Sequence, residues 1–198
     1  MRPVTFVGLT DYHKPYTRVR CYHFARALAA ELPTRVFSFQ EHLTAIHDGV
    51  QMLELPVRER LRLNMAAFQA NLRHRQGLFY LQKVHYHAAF VRWYRQCFAT
   101  PYILDYDDYD FDRSPLFTPG LNRLLLGAAE PADVTMLLAR QARCVVVSSH
   151  GLARHFSAVA ETHLIPTGVD TAVFVPAAAD VRDTVTFVWC GMIWGKVI

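Results

Sequence analysis

Long apolar runs, paired cysteines and an excess of charge are all missing from this sequence of 198 residues. No apolar run approaches the ~18 residues of a membrane-spanning helix, and the run at 4–7 is too short for the apolar part of a signal peptide. The four cysteines stand far apart without a C-x-x-C pair, which favours reduced thiols in a reducing compartment. Only 19% of the residues are charged and 52% are hydrophobic, so the chain can bury a sizeable core and is not disordered.

The net charge of +4 is too small to indicate a nucleic-acid partner. It is compatible with phosphate-bearing ligands and with an anionic membrane surface. We therefore expect a cytoplasmic protein that binds no nucleic acid. A peripheral contact at the inner face of the membrane stays open as a further expectation.

Short apolar runs alternate with longer amphipathic ones, which predicts an α/β fold with a Rossmann-like parallel sheet flanked by helices. The predicted strands are residues 4–9, 35–39, 78–81, 101–104, 144–147 and 163–165, with further short candidates at 51–55 and 185–190. The predicted helices are residues 18–32, 57–76, 86–98, 121–143 with a break near 130–131, and 150–159. Ligands of such sheets bind at the carboxyl ends of the strands, so the residues that follow each strand are the site candidates.

Five aspartates lie within eight residues after the fourth of these strands: Asp105, Asp107, Asp108, Asp110 and Asp112. Their mutual repulsion must be offset by solvent, by basic partners or by a metal ion. Asp105 and Asp107 have the D-x-D spacing that can hold a divalent cation on a nucleotide-sugar diphosphate. The simpler interpretation is a solvated acidic loop in which one aspartate caps the next segment.

Thr17, Arg18 and Arg20 stand at the expected start of the helix that follows the first strand. A helix amino terminus offers free backbone N–H groups, so these residues are candidates for contact with a phosphate group. No glycine lies between Leu9 and Val19, which excludes a P-loop and a dinucleotide fingerprint. The alternative is that Thr17 caps the helix and the arginines are solvated.

Ser149 is placed to cap the helix predicted at 150–159. A hydrolase site with the adjacent His150 is disfavoured, because neighbouring residues cannot adopt the nucleophile–base geometry of a triad.

The helix predicted at 57–76 has a basic face, which is either a solvated surface or a contact for an anionic membrane or a lipid-linked pyrophosphate. The members of this face are Arg58, Arg60, Arg62, Arg73 and Arg75.

Four motifs, taken in chain order, resemble the amino-terminal half of a GT-B fold glycosyltransferase of the family 4, or group 1, type. They are residues 81–83 (LQK), 103–108 (ILDYDD), 142–152 (ARCVVVSSHGL) and 165–176 (IPTGVDTAVFVP). The last motif is the most specific of the four. Together the motifs make the resemblance cover nearly the whole chain.

This resemblance implies two Rossmann-like domains that face each other across a cleft, with the acceptor on the first and the nucleotide-sugar on the second. Residues 1–176 would be the acceptor-side domain, and 177–198 the linker and first strand of an incomplete donor-binding domain. The donor would be a nucleotide-sugar co-substrate, with no catalytic metal or other cofactor, and the acceptor a glycan or a lipid-linked molecule. Because the family's donor-binding E-x7-E pair is missing, we expect little or no activity from this chain alone.

The resemblance also implies roles for individual residues. Asp105, Asp107 and Asp108 become the catalytic candidates. The substrate-binding candidates are Thr17, Arg18, Arg20, Lys83, Ser149, Gly168 and Asp170, of which the last two would lie at the interdomain hinge. Gly191 and Lys196 would meet the donor diphosphate. Two alternatives stay open: a non-catalytic α/β module that binds a glycan or a partner chain, and a metal-dependent enzyme that uses Asp105 and Asp107.

Overall fold

The computed structural model describes residues 2–45, 55–84, 87–112 and 116–176. The chain divides into two compact units, Met1–Gly168 and Val169–Ile198. All the described strands and helices belong to the first unit. In the second, the carbonyl of Asp170 accepts hydrogen bonds from the amides of Val173 and Phe174, which form a short turn. The strand predicted at 185–190 and most of the one predicted at 51–55 lie outside the described residues.

Six parallel strands form one sheet in the order β2-β1-β3-β4-β5-β6. They are β1 (Val4–Gly8), β2 (Thr34–Ser38), β3 (Leu78–Gln82), β4 (Tyr102–Tyr106), β5 (Cys144–Val147) and β6 (Thr162–Leu164). The sheet confirms the predicted α/β, Rossmann-like fold. Strand β5 has the predicted bounds, and the other strands differ from prediction by one or two residues at an end.

Seven helices flank this sheet in the described part of the chain, and a 3₁₀ turn, Leu72–His74, follows the third of them. The first, α1, joins Pro15–Thr17, a π-helical stretch Arg18–His23, and Phe24–Leu28. The others are α2 (Phe39–Thr44), α3 (Val57–Asn71), α4 (Ala88–Phe98), α5 (Pro119–Leu126), α6 (Pro131–Gln141) and α7 (His150–Phe156). Pro131 begins α6, which confirms the predicted break. Within the described stretches, no helix is long and apolar enough to cross a membrane.

The two faces of the sheet are covered separately. Successive residues of a strand point to opposite faces, so Phe6 and Val7 of β1 enter different cores. Phe6 packs with Cys21 and Ala25 of helix α1 in a small core. Val7 belongs to the larger core, which contains the buried apolar residues of α3, α4 and α6. Helix α1 therefore lies on one face, and its position determines which of its side chains reach the edge of the sheet.

Helix α1 begins at Pro15 and has Lys14 as its N-cap, so it starts earlier than the predicted residue 18 and Thr17 is not the cap. Proline is favoured in the first turn of a helix, where its missing N–H has no partner to lose. Gly8 at the end of β1 permits the close approach of this helix. A Cβ on Gly8 would lie 2.6 Å from the Cγ2 atom of Thr17.

The buried face of helix α3 is displaced from the predicted one. Apolar spacing predicts a stripe of Val57, Leu61, Met65, Phe68 and Leu72, but Val57, Leu61 and Phe68 are only partly buried against the core and Met65 is 44% exposed. The buried residues are Arg60, Leu63, Asn64, Ala67 and Asn71. Asn64 accepts a hydrogen bond from the Phe90 amide at 2.9 Å and donates one to the Arg60 carbonyl at 2.8 Å. Hydrogen-bonded polar side chains thus occupy the interface between α3 and α4, where a pattern search expects apolar ones.

Candidate functional site

The candidate site lies where the carboxyl ends of the parallel strands meet. Gln82 of β3 and Asp105 of β4 are partners in the register of the sheet. Lys83 and the segment 107–110 therefore leave the sheet side by side. Helix α1 approaches the same edge from the end of β1. The topology brings together residues that are as much as 145 positions apart in the chain.

Arg20 of helix α1 and Asp105 of β4 form a fully buried ion pair, with both side chains 0% exposed. Arg20 Nε donates to the two carboxylate oxygens at 2.9 and 3.1 Å, and Nη2 donates to Oδ1 as well. Arg20 Nη1 donates to the carbonyl of Ile165, after β6, at 2.7 Å. The pair thereby joins α1, the middle of the sheet and its far edge. Because neither side chain reaches solvent, we assign the pair a positioning role beneath the site.

Burial raises the pKa of Asp105 to about 6, even though the hydrogen bonds and the charge of Arg20 act in the opposite direction. For Arg20, burial lowers the pKa, but the hydrogen bonds and charge of Asp105 outweigh burial and raise it. The paired charges support each other's ionised form. At neutral pH the pair is therefore predominantly ionised.

A second set of buried contacts fixes helix α1 against β3. The Oγ1 atoms of Thr10 and Thr17 lie 2.8 Å apart, and Thr17 Oγ1 donates to Gln82 Oε1 at 2.8 Å. The Cys21 thiol donates to the same oxygen at 3.7 Å. Burial raises the pKa of the Cys21 thiol well above its ordinary value, so it stays protonated. Thr17 is fully buried, and its hydroxyl is engaged by Thr10 and Gln82.

Lys83 stands at the centre of the acidic segment. Its Nζ atom lies 3.1 Å from an oxygen of Asp107, 3.3 Å from one of Asp108 and 2.9 Å from one of Asp110. The side chain of Lys83 is 5% exposed, whereas those of Asp108 and Asp110 are 69% and 42% exposed. The lysine thus offsets the mutual repulsion from inside, while two carboxylates face solvent.

Burial by itself lowers the pKa of Lys83, but Asp107 and Asp110 outweigh burial and raise the pKa above its ordinary value. The ammonium group also lies 5.0 Å from the centroid of the Tyr16 ring, a cation–π contact. Lys83 therefore remains a cation over the whole neutral range of pH. Its ammonium group lies within ion-pair distance of all three carboxylates.

The backbone of Lys83 is strained, with φ at 49° in the left-handed region. A non-glycine residue in this region costs about 1–3 kcal/mol, and such residues cluster at functional sites. The Lys83 amide donates to the Asp105 carbonyl at 2.9 Å, which continues the sheet ladder into the strained turn. Among the described strand ends, Lys83 is the one at which a non-glycine residue has a positive φ.

An aromatic platform adjoins the carboxylates. Tyr109 is 57% exposed. The centroid of its ring lies 4.5 Å from that of Phe111 and 5.1 Å from that of His155. Phe111 is fully buried, so the inner side of Tyr109 is supported by the core. The outer side of the ring is an apolar surface beside the exposed carboxylate of Asp108.

The remaining predicted residues make other contacts. Ser149 Oγ accepts a hydrogen bond from the Leu152 amide at 3.3 Å, which confirms the predicted helix cap. The guanidinium of Arg18 is partly exposed and lies 5.9 Å from the centroid of the Tyr12 ring. Gly168 is exposed, with open space where a Cβ would be. Asp170 belongs to the second unit, where its carboxylate accepts a hydrogen bond from the Ala172 amide at 3.0 Å.

Gly191 and Lys196 lie outside the described residues, and their roles stay predictions. So do the substrate contacts assigned to Ser149, Gly168 and Asp170.

The basic partners Arg20 and Lys83 supply the compensation that the acidic segment requires. A cation coordinated by Asp105 would have to displace Arg20, and one coordinated by Asp107 would compete with Lys83. In the parts of the chain that the structure describes, no group of three or more His, Cys, Asp or Glu side chains could hold a metal ion.

Four contributors to the site were not assigned from the sequence: Gln82, Asp110, Tyr109 and the carbonyl of Ile165. Gln82 lies in the motif at 81–83 and is the last residue of β3. Asp110 lies in the cluster of five aspartates that follows β4. A search of every polar residue at the strand ends would have included them. Nothing in the sequence marks the Ile165 carbonyl as the partner of a buried arginine, because any residue has a carbonyl.

Comparison with known proteins adds little beyond the fold. No protein-family model matches the sequence, and no curated protein matches it. Among solved structures, the chain is similar to the crystal structure of Anabaena Alr3699/HepE in complex with UDP, at 15% identity and a TM-score of 0.40. The similarity covers 87% of this chain and 45% of that one, so the chain spans less than half of its length. A TM-score of this size carries no functional argument, and the fold class rests on the sheet itself.

Proposed function

We propose that the carboxyl edge of the sheet binds the acceptor of a glycosyl transfer. In this proposal the whole protein moves a sugar from a nucleotide-sugar donor to a glycan or a lipid-linked acceptor. One observation carries the proposal: a strained, buried Lys83 gathers three carboxylates at the strand ends. Lys83, Asp107 and Asp108 belong to the motifs at 81–83 and 103–108, which resemble those of GT-B glycosyltransferases, and Asp110 follows the second motif.

The chemistry of the edge suits a sugar. Sugar hydroxyls donate hydrogen bonds, and ionised carboxylates are strong acceptors for them. Asp108 is the most exposed of the carboxylates that surround Lys83. The exposed ring of Tyr109 supplies an apolar surface of the kind that packs on the C–H face of a sugar ring. The carboxylate of Asp108 would thus bind the hydroxyls of the acceptor sugar, and the ring of Tyr109 would pack on its C–H face.

Each carboxylate takes a different part in the proposed transfer. An acceptor hydroxyl must be oriented and must lose its proton as it attacks the donor sugar. We assign the orientation of the hydroxyl and the acceptance of its proton to Asp108. Asp107, only 11% exposed, holds Lys83, and its carbonyl accepts a hydrogen bond from Ser148 Oγ at 2.6 Å. Asp105 and Arg20 support the segment from below, and the departing nucleotide diphosphate requires cations supplied from the donor side.

Saccharide binding by the intact chain tests this proposal. Saturation-transfer NMR with glucose, galactose, N-acetylglucosamine and their β-linked disaccharides should show binding of at least one. Asp108→Asn and Tyr109→Ala should each weaken that binding by about tenfold, the loss expected for one charge-assisted hydrogen bond or one aromatic contact. Asp133→Asn, which changes an exposed aspartate on α6, serves as the matched control and should bind normally. Binding of none of the saccharides, or equal binding by all variants, would contradict the proposal.

Two alternatives use the same residues and give different results. A non-catalytic module that binds a glycan predicts saccharide binding without turnover, even when the donor half of a related transferase is added. A metal-dependent enzyme predicts heat on calorimetric titration with Mg²⁺ or Mn²⁺, and loss of that heat in Asp107→Asn. A cytoplasmic location and a peripheral membrane contact stay predictions under each of these functions.

A further inference from the structure

The opposite edge of the sheet contains a cavity of about 440 Å³. It is formed by the segments that precede β1, β3 and β4. Because all strands are parallel, these segments meet at the amino edge, away from the carboxyl edge that holds Lys83. The lining residues that matter below are Arg2, Arg75, Gln76, Phe98 and Thr100.

Arg75 is held in place on the wall of this cavity. Its Nη1 donates to the Leu72 carbonyl at 3.1 Å, and its guanidinium lies 5.6 Å from the centroid of the Phe98 ring. The carbonyl of Arg75 accepts a hydrogen bond from Thr100 Oγ1 at 2.9 Å. Phe98 in turn stacks on Phe68, with ring centroids 6.0 Å apart. The Arg75 guanidinium and the Phe98 ring are therefore already held in position, so that a ligand would bind them with little loss of side-chain entropy.

The positive charge at this edge is not balanced locally. Two arginines line the cavity, and none of its lining residues is acidic. Among the described residues, neither Arg2 nor Arg75 forms an ion pair with a carboxylate. Charges of one sign inside a concave surface concentrate the field and attract anions.

A second group of basic residues reinforces this field. Burial lowers the pKa of Arg35, and the nearby charge of Arg73 lowers it further. Burial and then both of these arginines lower the pKa of His74 in the same way. Burial raises the pKa of the Tyr94 hydroxyl, and the charges of Arg35 and then Arg75 act in the opposite direction, so both guanidinium groups influence this end of α4.

The C-terminal end of α4 also faces the cavity, and its carbonyls would oppose an anion. The amide of Ala99 donates to the Arg95 carbonyl at 3.1 Å, and the amide of Thr100 donates to the Tyr94 carbonyl at 3.5 Å. These bonds satisfy carbonyls that would otherwise project freely from the helix. Among the residues that line the cavity, Arg2 and Arg75 are the ones with a full charge.

We propose that this cavity binds a small organic phosphate, with Arg2 and Arg75 on the phosphate group and Phe98 against the attached ring. Guanidinium groups match phosphate oxygens in charge and in geometry. The aromatic ring favours a phosphate ester with a ring over inorganic phosphate. The site is separate from the proposed acceptor site and does not depend on it.

Phenyl phosphate tests the proposal, because it combines a phosphate group with a ring. Titration of the ¹⁵N-labelled chain should saturate and shift the amide signals of Gln76, Ala99 and Thr100. Inorganic phosphate should bind more weakly at the same amides, and phenol should not bind. Arg75→Gln and, separately, Arg2→Gln should each weaken binding of phenyl phosphate by about tenfold, the loss typical of one charge-assisted contact. Arg58→Gln, an exposed arginine on α3, is the control and should bind normally.

Arg2 lies outside the described helices and strands, so Arg2→Gln should fold normally. This variant therefore keeps the test decisive if Arg75→Gln fails to fold. A lipid headgroup is the other source of an organic phosphate, and vesicles of phosphatidylcholine with and without phosphatidylglycerol distinguish it. Binding to the anionic vesicles that phenyl phosphate competes away would assign the site to a lipid headgroup. No saturable shift with phenyl phosphate, or equal affinity in all three variants, would overturn the proposal.

Discussion

Replacing Arg20 with methionine should destabilise the fold strongly, because it leaves the carboxylate of Asp105 buried without a partner. Arg20 donates through Nε and Nη2 to Asp105 and through Nη1 to the Ile165 carbonyl, and both side chains of the pair are 0% exposed. Breaking one side of such a pair costs about 3–5 kcal/mol, and the lost bond to Ile165 adds about 1 kcal/mol. This is a large part of the ~5–15 kcal/mol by which domains are usually stable.

Urea unfolding followed by circular dichroism measures this loss. Arg62→Met is the matched control, because Arg62 pairs with Glu59 on the surface, with exposures of 60% and 33%. The control should lose no more than about 1 kcal/mol. The double variant Arg20→Met with Asp105→Leu should recover at least ~2 kcal/mol relative to the sum of the single changes, because no buried charge remains. A loss below ~1 kcal/mol in Arg20→Met, or additive losses, would refute the assigned role of the pair.

The destabilisation caused by Arg20→Met should also depend on pH, in a direction that follows from the pKa of Asp105. The folded-state pKa of Asp105 is raised to about 6 by burial, above the ~3.9 of an unfolded aspartate. The folded state therefore binds the proton more tightly, and this group's contribution to stability falls as pH rises from about 4 to about 6. Without Arg20 the pKa of Asp105 should rise further. The deficit of Arg20→Met relative to wild type should then be smaller at pH ~5 than at pH ~7.5, and an equal deficit at both would contradict this.

Three further experiments test the packing of the fold: a substitution at Gly8, a pair of substitutions at Ser149, and chemical labelling of the cysteines. Gly8→Ala should destabilise by about 1–3 kcal/mol in urea unfolding, because the new Cβ meets the hydrogen-bonded Thr17 side chain at 2.6 Å, and normal stability would exclude the close approach. Ser149→Ala should lose about 1 kcal/mol through the missing cap of α7, whereas Ser149→Asp should retain most of the stability. Iodoacetamide followed by peptide mapping should modify the exposed Cys97 well before Cys21, whose pKa burial raises, and equal rates would contradict the burial of Cys21.

The fold could be predicted from the sequence wherever apolar side chains alone determine an element. Strand β5 is a continuous apolar run, buried on both faces, and its bounds follow from the run itself. Helix α3 shows the limit of this reasoning. Asn64 and Asn71 are buried because their amides bond to backbone groups, and no apolar periodicity contains that information. The predicted face was therefore displaced from the real one.

The candidate site could be predicted only in part for a similar reason. The repulsion among the aspartates indicated that a partner was required, and basic residues were one of the possibilities. The identity of the partners depends on which strand ends are neighbours and on the strained turn at Lys83, and these follow from the assembled sheet. The sequence marked Arg20 as a candidate for substrate contact and Asp105 as a catalytic candidate. Their complete burial in one pair could not be read from residues so distant in the chain.

The most direct test of the acceptor proposal is where on the protein a saccharide binds. The ¹⁵N-labelled intact chain should be titrated with the saccharide that gives the strongest saturation transfer, and the amide shifts mapped onto the sheet. We predict the largest shifts at Lys83, Asp108 and Tyr109, and none at Gln76 or Thr100 of the amino edge. Shifts confined to the amino edge, or no saturable shift at the carboxyl edge with any of the saccharides, would contradict the proposed acceptor site.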